Sequence, residues 1–142
     1  HRLVGDWTWS HEAVPGQIGD DHDHPGATEN WRLLGDLWAL GEGNSEHGAM
    51  MFTLGYDTNK QCFVGSFVTA MMTFFWSYEG QLEGAEKLVL RARGPNMGPE
   101  GGMANYRDEI EFLGPDERLL RSFMEHPDGS WEQFMQARYL RK

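Results

Sequence analysis

The densest group of metal-ligand side chains in the sequence is His22-Asp23-His24, which follows Asp20 and Asp21. A His-x-His pair on an extended segment can turn both imidazoles to one side, and neighbouring carboxylates can complete a coordination shell. The segment is bounded by Gly19, Pro25 and Gly26, and a glycine-flanked loop offers no rigid outer shell to orient ligands. A solvated acidic loop is therefore the preferred reading. His22 and His24 are the candidates if a metal binds at all, and no cofactor is expected.

A second set of chemical groups, Glu79, Arg107 and Glu109, lies in segments otherwise rich in core-forming residues. Facing inward, these groups would pair with one another and form the polar end of a pocket, with Glu42 a further candidate. Facing outward, they are ordinary surface charges. In Tyr106-Arg107-Asp108-Glu109-Ile110-Glu111-Phe112, Tyr106, Asp108, Ile110 and Phe112 share one face and Arg107, Glu109 and Glu111 the other. That alternation leans towards the surface for Arg107 and Glu109. A carboxylate buried in such a pocket, Glu79 or Glu109, could act as a general base if burial raised its pKa.

Nucleophilic chemistry finds little support. Cys62 is the single cysteine and sits in an apolar run, where an inert buried thiol is the simpler reading. With one cysteine, neither an intrachain disulfide nor a multi-cysteine zinc site can form. There is no Gly-x-Ser-x-Gly and no glycine loop between a strand and a helix to cradle phosphate. The last apolar segment, Trp131 to Leu140, contains no histidine to hold a haem, and His126 falls in a turn.

Thr69-Ala70-Met71-Met72-Thr73-Phe74-Phe75-Trp76 is the most apolar connection in the chain. Connections are usually polar, so an apolar one suggests a pocket mouth, a lid or a subunit contact, against the plainer reading of a continuing strand. Methionine pairs suit adaptable contact with apolar ligands.

The elements that must position these groups are strands. Eighteen glycines and six prolines cut the sequence into short segments rich in Val, Phe, Trp, Tyr and Thr. Strands are predicted at 6–14, 27–34, 37–42, 50–56, 62–69, 75–82, 87–93, 105–112, 118–125 and 131–140. Asp57-Thr58-Asn59-Lys60 reads as a hairpin turn, because Asp and Asn bond their own backbone and tolerate left-handed conformations. Glu83-Gly84-Ala85-Glu86, Gly114-Pro115-Asp116-Glu117 and His126-Pro127-Asp128-Gly129 repeat the device. Trp31, Leu34 and Trp38 also fit a helical stripe, but Gly35-Asp36 between them favours two strands and a turn. The segments 17–26 and 94–103 read as loops.

An antiparallel sheet of about ten strands with no covering helix must close on itself or split into two packed sheets. Closure is expected here: an all-β fold, one antiparallel barrel of about ten strands formed by residues 1–142 as a single domain. A barrel of this size is either filled by side chains or holds one small molecule.

Composition sets outer bounds. The chain has 142 residues, 39% of them hydrophobic and 13% aromatic, enough to bury a core and exclude global disorder. Twenty-two acidic residues against twelve scattered basic ones give a net charge of −10. Nucleic acid and anionic membranes are poor partners for such a surface. No apolar run approaches the length of a membrane span and no signal peptide is visible, so a cytoplasmic location is expected. The chain starts at His1 without Met, so an export signal removed upstream stays open.

Leu3-Val4-Gly5-Asp6-Trp7-Thr8, Thr53-Leu54-Gly55-Tyr56-Asp57, Phe63-Val64-Gly65, Trp76-Ser77-Tyr78-Glu79-Gly80, Tyr106-Arg107-Asp108-Glu109-Ile110-Glu111 and Trp131-Glu132-Gln133-Phe134-Met135 occur in this order along the chain. Together they resemble a bacterial domain family of unknown function with a lipocalin-like, calycin-type barrel. The resemblance covers nearly the whole chain, implies the fold and transfers no catalytic residue. Gly5-Asp6-Trp7 is similar to the Gly-x-Trp that opens the first strand of lipocalins, which implies an indole packed under a basic residue of the last strand, Arg138 or Arg141. The acidic loop 22–24 departs from the family pattern.

These readings converge on a protein that binds a small, largely apolar molecule inside a barrel, with Trp76, Tyr78, Met71, Met72, Glu79, Arg107 and Glu109 as the expected ligand-binding residues. The alternatives are a homodimeric interaction module whose barrel is filled by its own side chains, with Met71–Phe75 at the contact, and an enzyme using Glu79 or Glu109 as general base.

Overall fold

A computed structural model describes residues 2–12, 14 and 27–142. The His22/His24 loop lies outside the described residues. Ten strands follow one another: β1 (Gly5–Glu12), β2 (Thr28–Leu34), β3 (Trp38–Ser45), β4 (Gly48–Asp57), β5 (Cys62–Thr69), β6 (Trp76–Glu83), β7 (Lys87–Pro95), β8 (Met103–Gly114), β9 (Glu117–Glu125) and β10 (Trp131–Arg141). Each pairs antiparallel with its sequence neighbours, and β1 pairs with β10, with Trp7 opposite Arg141 and Glu12 opposite Gln136. The barrel is thus closed, one of the two arrangements open to a sheet that, among the described residues, no helix covers. Among the described residues no helix is long and apolar enough to cross a membrane.

The hairpins follow the turn chemistry. Asp57 Oδ1 accepts from the backbone N–H groups of Asn59 and Lys60 at 2.9 and 3.0 Å, and Gln61 takes a left-handed conformation at φ 56°. Gly35, at φ 60°, turns the chain between β2 and β3, so the stripe that also fitted a helix is two strands. Strand ends differ from the predicted ones where pairing overrides propensity. β3 runs on through Gly43, Asn44 and Ser45 because the backbone there pairs with Met50, Ala49 and Gly48. β7 likewise reaches Pro95, which stands opposite Met103. β1 ends at Glu12, short of Val14.

Alternation divides every strand between barrel interior and outer wall. The interior holds one large cluster around Trp7, Trp31, Leu88, Ile110 and Tyr139, and a smaller one of Trp76, Ala104 and Tyr106. Two glycines make room for interior indoles. A Cβ on Gly41 would lie 2.4 Å from the Trp31 ring, and one on Gly94 would lie 2.1 Å from Trp76.

The strand directions give the barrel two unlike ends. The connections β2–β3, β4–β5, β6–β7 and β8–β9 lie at one, with Arg141 and the first residues. At the other lie β3–β4, β5–β6, β7–β8 and β9–β10.

Candidate functional site

The first of these ends is shut. Trp7 has no exposed surface, and its indole N–H donates to the Leu3 carbonyl at 2.8 Å. Arg141 lies 4.3 Å from the ring centroid and Arg118 4.7 Å from it. Arg141 also donates to the carbonyls of Val4, Arg2 and Pro115, tying the last strand to the first residues and to the β8–β9 turn. Of the two expected partners for Trp7, Arg141 is the one present. Arg138 is on the other parity of β10 and pairs with Glu12 and Glu117.

Arg118 projects inside the barrel, where both it and its partner Glu29 are 2% exposed. Glu29 Oε1 accepts from Arg118 and from the indole N–H of Trp31. The guanidinium also lies 3.8 Å from the centroid of the Tyr139 ring. A buried charge survives only if paired, and these two charges are paired with each other, while Glu29 Oε2 and Arg118 Nε lack a hydrogen-bond partner among the described residues.

Above this layer the interior opens into a cavity of about 330 Å³ that reaches the second end of the barrel. Its walls are aromatic and sulfur-rich: Trp9, Phe52, Phe67 and Trp76, with Met50 and Met135 among the methionines. Phe52 and Phe67 pack with ring centroids 4.5 Å apart, and Trp76 meets Tyr106 edge-on at 5.0 Å. The polar groups at its base are Tyr78, Asp108 and Ser122. Tyr78 Oη donates to Asp108 Oδ2 at 2.6 Å, and Ser122, the cross-strand partner of Asp108, bonds the same carboxyl. Burial pushes the Asp108 carboxyl above the usual aspartate range, while the two hydroxyls pull it back. Burial pushes the Tyr78 phenol well up, helped by the adjacent carboxylate. The same carboxyl touches a void of about 20 Å³, bounded also by Glu29, Arg118 and Tyr139, that separates the cavity from the closed end.

Three further ring donors around the cavity are used by the protein itself. Trp9 Nε1 donates to the Thr28 carbonyl at 3.3 Å, Trp76 Nε1 to Met72 Sδ at 3.5 Å, and Tyr106 Oη to the Pro95 carbonyl. The Tyr139 hydroxyl oxygen accepts from Arg118, and burial raises the pKa of this phenol.

The β5–β6 connection overhangs the mouth. Met72 packs against the Trp76 cluster, while Met71 and Phe75 are each 60% exposed beside it. His11 and His47 also border the mouth, His11 meeting Trp9 edge-on at 5.2 Å.

Of the residues expected to bind ligand, Met71, Met72, Trp76 and Tyr78 border the cavity. Glu79, Arg107 and Glu109 lie on the outer wall, because Tyr78, Tyr106, Asp108 and Ile110 take the inner parity of β6 and β8. Glu79 is not a buried base: it is 58% exposed and pairs with Lys60 at 2.7 Å. Arg107 pairs with Glu109 at 3.0 Å and lies over Phe123 and Trp131, and Lys87 approaches Glu109 at 3.5 Å. Glu42 is also exposed, 3.8 Å from Arg32. Cys62 is buried and free. Among the described residues no group of three or more His, Cys, Asp or Glu side chains is placed to hold a metal.

The acid that does face the cavity, Asp108, was not among the expected site residues. Its signal was a lone acid on the apolar face of an alternating strand.

The family described as protein of unknown function (DUF1579) matches residues 1–141, the whole extent of the barrel. The chain belongs to that family. No match is found among curated proteins. The functional reading of this DUF1579 barrel therefore rests on the geometry of its interior.

Proposed function

We propose that this DUF1579 protein binds a small, largely apolar molecule in the open half of its barrel. The observation that carries the reading is the cavity itself. It is walled by aromatic and methionine side chains, shut below by the Trp7–Arg118–Glu29 layer and open above. Its volume of about 330 Å³ falls at the lower end of the range of small-molecule sites, and a few polar groups within an apolar lining is the usual composition of such a site. Trp76, Tyr78, Met71 and Met72 are the proposed contacts named by sequence, to which Trp9, Phe52 and Phe67 are added. The methionines let the mouth adapt to a ligand's shape.

Native mass spectrometry of the purified protein before and after denaturation is the direct test, together with titration of the neutral apolar dye prodan. The dye is expected to bind with enhanced fluorescence. Met135→Trp, which fills part of the cavity, is expected to weaken binding by about tenfold, the equivalent of roughly 1.4 kcal/mol. Neither released mass nor dye binding, or dye binding indifferent to Met135→Trp, would overturn the reading.

A further inference from the structure

The cavity's polar groups are unequally divided between donors and acceptors. Both indoles and two of its phenols donate to protein acceptors: Trp9 to Thr28, Trp76 to Met72, Tyr106 to Pro95 and Tyr78 to Asp108, while the Tyr139 oxygen accepts from Arg118. The charged group that the base of the cavity offers a ligand is an acceptor. The Asp108 carboxyl is enclosed by protein on all sides except where it borders the open space. An ionised carboxylate has roughly four acceptor positions, of which the Tyr78 and Ser122 hydroxyls occupy two.

The charges are unequally divided as well. The groups acting on Asp108 are those two hydroxyls, with no cation among them. The interior guanidinium, Arg118, does not line the cavity: it is bound to Glu29 below and stacked on Tyr139. A ligand anion would meet a carboxyl and find no guanidinium to receive it. A ligand cation would meet the carboxyl and a wall of aromatic rings, whose faces attract positive charge.

We infer that the ligand is an organic amine: its ammonium group sits on the Asp108 carboxylate at the base of the cavity, and its apolar body packs among Phe52, Phe67, Trp76 and the methionines. This rests on the cavity being the binding site. Tyr78 and Ser122 are positioning residues that aim the carboxyl by donating to it. Loss of the amine's bulk water on entry is offset by the ion pair, by charge-assisted hydrogen bonds and by the ring faces.

Three probes of one shape separate the inference from the reading on which it rests: phenylbutylamine, phenylbutanol and phenylbutanoate, titrated into the intact protein at neutral pH by calorimetry. The amine is expected to bind at least about tenfold more tightly than the alcohol, the size of a desolvated ion pair or cation–π contact, and the carboxylate most weakly. In Asp108→Asn, which keeps the shape of the side chain, the amine's advantage over the alcohol is expected to vanish while the alcohol's own affinity holds. Alcohol and amine binding equally in the unaltered protein, or the carboxylate binding best, overturns the amine and leaves the cavity reading standing. Binding of none of the three overturns both. The wild-type ranking decides the matter even if Asp108→Asn fails to fold.

Discussion

At the closed end of the barrel an indole with no exposed surface packs against two guanidinium groups, one tied to three carbonyls and the other to a buried carboxylate. At the open end the same strands carry flexible methionines, and a carboxyl bordering the cavity has only hydroxyl partners. Interior charges are balanced below and unbalanced above. Balanced buried charge holds one arrangement of the chain, since any slip strands a charge in an apolar setting. Unbalanced charge beside open space instead gives an incoming molecule something to complete. One fold thereby separates the part that fixes its shape from the part left to recognise.

The largest effect should come from breaking the balance below. Glu29→Ala leaves Arg118 buried without its counter-ion and leaves the Trp31 indole N–H without its acceptor. It is expected to cost about 3–5 kcal/mol in denaturant unfolding. Glu29→Gln with Arg118→Met, which removes both charges and keeps bulk, should cost much less. Equal losses for the single and double changes would break the comparison, because the stability would then come from packing alone.

The fold was legible in the sequence because its signals are local. Turn residues such as Asp57-Thr58-Asn59 and Gly35-Asp36 mark the strand ends, and each strand carries its own alternation. The Trp7 plug was legible through the family pattern, but the choice between Arg138 and Arg141 depends on the parity of β10 relative to Ala137 and Tyr139. The site was half legible. Trp76-Ser77-Tyr78-Glu79 already places Glu79 opposite the aromatics, and the alternation of β8 separates Asp108 from Arg107 and Glu109. Which of those faces looks inward, and that the upper half is hollow, depends on β1, β4, β5 and β10 meeting across the interior. No local pattern records that meeting.

A smaller effect should appear at the carboxyl between the two halves. Asp108 has its folded pKa raised above the ordinary value of 3.8, with burial the largest cause. Its native state therefore holds the proton more tightly than the unfolded chain does. The stability this contributes is fully present below 3.8 and is lost as pH rises through the folded value. Asp108→Asn cannot titrate, so the wild type should lose stability relative to this variant as pH rises from about 3 towards neutrality. Urea midpoints for both proteins across that range measure it. A difference that stays flat would mean that Asp108 is as well solvated as an exposed aspartate, and the contrast between the two ends would lose its chemical basis.

The smallest effect on folding is expected at the mouth. Met72 packs on the Trp76 cluster and its sulfur accepts the Trp76 indole N–H at 3.5 Å, a weak bond. Met72→Leu conserves volume and faces a region that already has open space, so the unfolding free energy should change by less than about 1.5 kcal/mol. Its consequence should instead be functional. Leucine branches where methionine bends, and the freed indole N–H adds a donor to the lining. Dye and amine affinities should shift while the urea midpoint barely moves. If Met72→Leu proved as damaging to folding as Glu29→Ala, the mouth would belong to the rigid frame, and the cavity above Asp108 would be a feature of core packing instead of a place for a ligand.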